Sequence, residues 1–136
     1  MDPGGISVVR KLPIDGALLG DVLLRFRRDS TATALRWTLG DRGTAEVDTC
    51  FTSAGAGWTT KARLWNKTGR AVTAATLQLV ATDVDEVCLT LEPNLTPAPV
   101  WGIEARELSD LAAAAVDELA EELLWFATRT SPNIAG

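Results

Sequence analysis

A chain of 136 residues lies in the range of one folded domain, with roughly two-thirds of its extended surface buried on folding, and residues 1–136 are read as a single domain. Its composition, 46% hydrophobic and 23% charged, is that of a globular protein, and no apolar run approaches the length of a bilayer span, so membrane insertion is not expected. With no histidine and no tyrosine the commonest metal ligand, the usual general base and a common general acid are missing, and a net charge of -5 argues against nucleic acid as a partner.

The chain opens Met-Asp-Pro-Gly-Gly, without the charged-then-apolar layout of a secretory signal, and the expected compartment is the cytoplasm. Ile6 to Leu12 predicts a first strand, with Ile6, Val8 and Leu12 on one side and Ser7 and Lys11 on the other, broken by Pro13. From Asp15, a candidate N-cap, the apolar positions Leu18, Leu19, Val22, Leu23 and Phe26 recur at spacings of three and four and predict a helix over residues 15–27. Gly16 and Gly20 weaken that helix, and a strand over residues 22–26 is the alternative.

Period-two alternation between turn signals then predicts a meander of hairpins. Leu35, Trp37 and Leu39 line one strand, up to Gly40-Asp41-Arg42-Gly43. Ala45, Val47, Thr49 and Phe51 line the next, up to a turn over residues 53–57. Trp58, Thr60, Ala62 and Leu64 lead to the turn Asn66–Gly69, Ala71, Thr73, Ala75, Leu77 and Leu79 form the longest strand, and Val87, Leu89 and Leu91 the last, six strands in all. Hairpin partners must agree about which face is wet. Setting Asp48 against Lys61 and Glu46 against Arg63 pairs charges on one face, and Val47 then meets Ala62 and Phe51 meets Trp58 on the other. The second hairpin sets Leu64 against Ala71 and Ala62 against Thr73, again on the inner face. A connector over residues 92–106, with three prolines, precedes an amphipathic helix from about Glu107 to Thr128. Leu108, Leu111, Ala112, Ala115, Val116, Leu119, Leu123, Phe126 and Ala127 share one side of it, Asp110, Asp117, Glu118 and Glu121 the other, and Pro132 lies beyond its end. The fold class expected is α+β: a single antiparallel sheet of about six to seven strands wrapped around a long C-terminal helix.

This order of elements resembles the helix-grip domain of the START-like (SRPBCC) superfamily, in its polyketide cyclase and lipid-transport branch. The residues that carry the resemblance are Val9 to Leu18, a strand followed by proline and a helix, and Val87-Cys-Leu-Thr-Leu-Glu-Pro running into Leu108–Phe126. Seven strands are usual there. The resemblance implies an apolar cavity between sheet and helix, and some members act as cyclases through polar cavity residues. No signature motif is present from which a catalytic residue could be carried over, so the catalytic residues are unknown, and no cofactor is implied.

The inner face of the central strands is small and slightly polar: Thr49, Thr60, Ala62, Ala71, Thr73 and Ala75, flanked by Trp58, Leu64 and Leu77. Two readings stand side by side. Small walls with a few hydroxyls suit a small apolar or amphipathic ligand, lined by Trp58, Thr60, Ala62, Thr73, Ala75 and Leu77, with Trp101 of the connector capping its mouth. Alternatively Ala112 and Ala115 let the helix lie close on an Ala/Thr patch with no void. A different class of function is a protein-protein or homodimer contact through Trp65, on the outer face of its strand, or Trp125, about 140° from the centre of the apolar stripe at ~100° per residue.

Cys50 and Cys88 match neither a zinc pattern nor a redox pair, and two intervening strands keep them apart as free thiols. Asp117-Glu118 and Glu121-Glu122 read as a solvated helix face, and Asp83-Val84-Asp85-Glu86 as a hairpin turn, so no metal site is expected. Residues 1–70 carry 11 Lys/Arg against 7 Asp/Glu, a balance of +4, whereas residues 71–136 carry 2 against 11, a balance of -9. The simplest reading is a solvated basic sheet face and a solvated acidic helix face; the sharper one is a two-sided surface with a charged partner.

Overall fold

Alternation with period two buries one face of the central strands, and in the computed structural model that face closes around a helix. The structure describes residues 7–30, 33–68, 71–93 and 105–130, with the side chains of 71–73, 105 and 130 outside the description. The strands are β1 (Val8–Leu12), β2 (Ala34–Thr38), β3 (Gly43–Asp48), β4 (Thr52–Ala54), β5 (Gly57–Asn66), β6 (Ala71–Asp83) and β7 (Glu86–Pro93). They form one antiparallel sheet in the order β1-β7-β6-β5-β3-β2, with β4 paired to β5. Ile6, Trp101, most of the proline connector and Pro132 lie outside the described residues. The β2–β3 turn closes with the Leu39 N–H donating to Gly43 O at 2.8 Å, and Gly43 holds φ +141°. A Cβ there would stand 2.0 Å from Trp65 O, so only glycine lets β3 begin this close to the end of β5.

The register holds in part and departs twice. Glu46 pairs with Arg63 and Val47 with Ala62, as the charge pattern requires. Phe51 does not meet Trp58: the ladder breaks after Asp48 and resumes with Thr52 opposite Thr59 and Ser53 opposite Trp58, a displacement of two residues. The strand expected over residues 45–51 ends at Asp48 as β3, a short strand β4 begins at Thr52 and runs into the expected turn over residues 53–57, and the count is seven rather than six. Buried hydroxyls make the break tolerable. Thr60 Oγ1 lies 3.1 Å from Asp48 O and 3.0 Å from Cys50 O, and Thr49 donates to Thr33 O from its N–H at 2.9 Å and its hydroxyl at 3.1 Å.

In the second hairpin Leu64 stands opposite Thr73 and Ala62 opposite Ala75, not Ala71 and Thr73. Trp65 pairs with Ala71, so five residues connect the strands where four were expected, and Val72 is an extra residue on β6. The shift is even beyond the bulge, so Ala75, Leu77 and Leu79 still face inward, whereas the backbone of Ala71, expected opposite Leu64, pairs with Trp65.

Residues 15–27 are helical, not a strand. Asp15 Oδ1 accepts the Ala17 N–H at 2.9 Å, a 3-10 turn spans Gly16–Leu18, and α1 runs Leu19–Asp29. Leu19, Val22, Leu23 and Phe26 of α1 are buried. The C-terminal helix α2, Ala105–Thr130, has 26 residues and a length of about 39 Å at 1.5 Å per residue. Its expected apolar stripe is buried except for the half-buried Ala127, and Ala120, not assigned to that stripe from the sequence, is fully buried as well. α2 lies closest to α1 and β1, then β7, β3 and β5. An Arg10–Asp117 ion pair ties β1 to it.

Cys50, at the break, and Cys88, on β7, are free, with β5 and β6 between their strands. At ~4.8 Å per strand step they stand about 14 Å apart, beyond disulfide reach. Titration of unfolded, unreduced protein should find two thiols per chain; none would contradict this strand order.

Candidate functional site

The middle of the sheet is built from two neighbouring strands whose inward residues alternate with wet ones. On β5 these are Trp58, Thr60, Ala62 and Leu64; on β6, Ala75, Leu77 and Leu79. The register sets Trp58 against Leu79, Thr60 against Leu77 and Ala62 against Ala75. Ala62 and Ala75 thus form the smallest cross-strand pair of the inner surface, 2% and 3% exposed, with Leu64, Leu77 and Leu91 around them. Ala45 and Val47 of β3 continue the floor on the β5 side.

Of the seven residues expected to line the site, Thr60, Ala62, Ala75 and Leu77 come together in this patch. Trp58 lies at its end, under α1, where the ring carbon Cζ2 is 3.5 Å from the point at which a side chain on Gly20 would begin. Gly20, which weakens the helix in the sequence, has a packing reason: it lets the indole lie against α1. Thr73 has its backbone opposite Leu64, its side chain being outside the description, and Trp101 lies outside the described residues. The Thr60 hydroxyl proton is committed to the carbonyls at the β3–β4 break, which leaves only its lone pairs to meet a polar group.

Open clefts lie elsewhere on the described surface. One of about 310 Å³ beside the break is lined by Asp48, Cys50, Thr52, Thr59, Lys61 and Thr76, and one of about 380 Å³ on the outer side of α2 by Arg42, Asp110, Asp117, Glu118 and Glu121 with Ala113 and Ala114. Neither is walled by large apolar side chains, and the first shares Thr60 with the inner patch.

No family model and no curated protein matches the sequence. Among solved structures the chain is similar to DynU16, a protein of the dynemicin biosynthetic locus, at 12% identity and TM-score 0.44, over 92% of this chain and 48% of that one. It therefore spans about half the length of DynU16. It is also similar to the Zhui aromatase/cyclase of Streptomyces sp. R1128, at 12% identity and TM-score 0.40, over 93% and 95% of the two chains. An 18 kDa protein of Caulobacter crescentus is similar at 15% identity and TM-score 0.29, over 91% and 93%. At TM-scores below 0.5 nothing about this chain is argued from these likenesses, and no residue role is transferred from them. The fold is of the helix-grip type. One antiparallel sheet with a long C-terminal helix against its inner face is what the topology and burial establish.

The exposed tryptophans are partly covered. Trp65 carries the Arg36 guanidinium 4.7 Å from its ring centroid, and Glu46 bridges Arg36 at 3.8 Å and Arg63 at 3.1 Å on the same outer face. Trp125 is 49% exposed, with Arg129 stacked 3.6 Å from its centroid. Asp83 to Glu86 forms the β6–β7 turn, Asp83 Oδ1 accepting the Val84 N–H at 2.7 Å. Among the described residues no group of three or more Cys, Asp or Glu is placed to hold a metal ion, and no helix is long and apolar enough to cross a membrane.

Proposed function

We propose that this chain is a START-like (SRPBCC) binding protein of the polyketide cyclase and lipid-transport branch, which takes a small apolar or amphipathic molecule between the sheet and α2. The observation that carries the reading is the Ala62–Ala75 pair: small inward side chains face each other on the central strands β5 and β6, and α2 packs more on the strands either side of β6 than on β6 itself. Close packing of small on small would bring α2 down on β6. α2 comes close to β1 and β7 on one side of β6 and to β5 and β3 on the other, and less close to β6 itself, which supports reading the small patch as the wall of a guest site. Trp58 bounds the site at the α1 end, Leu77 and Thr60 its floor, and Thr73 and Trp101 are assigned to its lining from the sequence. With both cysteines unbridged, the reducing cytoplasm suits the chain.

Ala75→Leu tests this. In a guest site the larger side chain occupies space the ligand would use, so the urea midpoint should barely move while uptake of 8-anilinonaphthalene-1-sulfonate by the folded protein is lost. In a filled core the same change costs about 1–3 kcal/mol through overpacking. A strongly destabilised Ala75→Leu variant, together with a wild type that takes up no dye and carries no ligand in native mass spectrometry, would mean that the alanines serve close packing and that the binding reading is wrong.

A further inference from the structure

The two edges of the sheet are finished differently. At one edge β1 carries Arg10, paired with Asp117 of α2, and Lys11, 3.8 Å from Glu86, and Pro13 follows it; charge, a covering helix and proline all discourage pairing with another chain. At the other edge β2, Ala34-Leu35-Arg36-Trp37-Thr38, has no proline, glycine or bulge, and its register with β3 runs unbroken. Among the described residues neither helix packs closely on it. Its one charge, on Arg36, is drawn back across the outer face, over Trp65 of β5 and beside Glu46 of β3, and does not guard the edge.

The phase of the ladder fixes which backbone groups are spare. Thr49 N–H donates to Thr33 O and Leu39 N–H to Gly43 O, so the hydrogen-bonded positions of β2 against β3 are 33, 35, 37 and 39. The N–H and C=O groups of Ala34, Arg36 and Thr38 therefore point away from the sheet, and among the described residues no hydrogen bond takes them up. Leu35 and Trp37, on the inner side, are only half-buried, because β2 ends the sheet.

Leu35-Arg36-Trp37-Thr38-Leu39 reads apolar, polar, apolar, polar, apolar in either direction about Trp37, so an antiparallel copy of the same strand matches it side chain for side chain. We propose that the β2 edge is the contact of a homodimer, in which β2 of each protomer pairs antiparallel with β2 of its partner about a two-fold axis at Trp37 and the two sheets run on as one. Arg36 exchanges N–H···O bonds with the partner's Thr38, and Thr38 with the partner's Arg36. Leu35 meets the partner's Leu39, the two Trp37 side chains meet on the inner side, and no arginine stands directly opposite an arginine. A second copy fits better than an unrelated extended peptide, because its strand is already ordered and matched in polarity, whereas a free peptide must first be straightened. The dimer does not depend on the apolar site, whose alanines lie on β5 and β6 with β3 between them and β2.

Sedimentation equilibrium of the full chain, with amide hydrogen exchange followed by NMR over a concentration series, reads the outcome. The wild type should be a dimer in which the Arg36 and Thr38 amides are protected. On dilution to the monomer their exchange should quicken by on the order of tenfold or more, while the Leu35 and Trp37 amides, bonded to β3, stay protected. Thr38→Pro removes one outward donor from each protomer and no bond of the β2–β3 ladder, so circular dichroism should match wild type while the dimer weakens on the order of tenfold or more. Trp37→Lys, which would set two ammonium groups side by side at the axis, gives a second disruption. A wild type that is monomeric at high micromolar concentration overturns the proposal, and protected Arg36 and Thr38 amides in that monomer would mean that the chain covers its own edge. A dimer in which these two amides exchange as freely as in the monomer, or one indifferent to both substitutions, overturns it in favour of another contact.

Discussion

Leu119→Asp should yield no folded protein. Leu119 is fully buried at the centre of the stripe that α2 turns to the sheet, so the carboxylate would be left without water or a partner, or would have to be neutralised at similar cost. That penalty is several kcal/mol, comparable to the whole stability of a domain of this size. Glu118, one residue earlier and about 100° around the helix, is only half-buried and in no ion pair among the described residues. Glu118→Ala should change stability by about 0.5 kcal/mol or less. Soluble yield, circular dichroism and the urea midpoint of the two variants make the comparison. Equal tolerance of both would mean that α2 does not hold the sheet closed.

The faces of the elements were legible in the sequence, and the offsets between them were not. Period two assigns Ala62, Leu64, Ala75 and Leu77 to one side whatever the register, and the two-residue slip in the β5–β6 hairpin changed partners without turning any of them outward. The slip comes from a five-residue connection and one extra residue at Val72, a choice of turn geometry that no local pattern fixes. The break between β3 and β4 is stabilised by Thr60, ten residues after Cys50, whose hydroxyl reads in sequence as one more inner-face polar group. Residues 22–26 predict a helix but leave a strand as the alternative, because a strand would turn Val22, Leu24 and Phe26 to one face; the helix buries Val22, Leu23 and Phe26 instead and leaves Leu24 exposed, held by tertiary contacts that include one with Phe126 a hundred residues later. Ala120 escaped notice at the margin of the stripe, and is buried because α2 is covered on its flanks by α1 and β1 as well as from beneath. The small-residue patch of the candidate site is likewise visible from alternation. Where α2 lies above it depends on packing between distant segments, and so does the difference between a wall and a filled core.

Phe26→Ala should remove about 3–5 kcal/mol, a large share of the stability of a domain of this length. The chain has three phenylalanines, and the fold gathers all of them: Phe26 lies 6.2 Å from Phe51 with the rings tilted by 59°, and 5.7 Å from Phe126 edge-on at 77°. Phe26 is 0% exposed, Phe51 8% and Phe126 7%, so the cluster joins α1, the β3–β4 break and the end of α2 out of water. The break thus has a use. Displacing the ladder by two residues releases Phe51 from a place opposite Trp58 and lets it reach the ring on α1. Truncating Phe26 removes the shared member and leaves a cavity that the two remaining rings, anchored on different elements, can only partly close. A double-mutant cycle with Phe126→Ala should show a coupling of about 0.5–1.5 kcal/mol, the range for edge-on aromatic pairs. Leu24→Ala, on the opposite side of the same helix, should stay within about 0.5 kcal/mol of wild type. Urea unfolding with an unchanged m-value gives each difference; a Phe26→Ala variant as stable as Leu24→Ala would show that the rings touch without holding α1 in place.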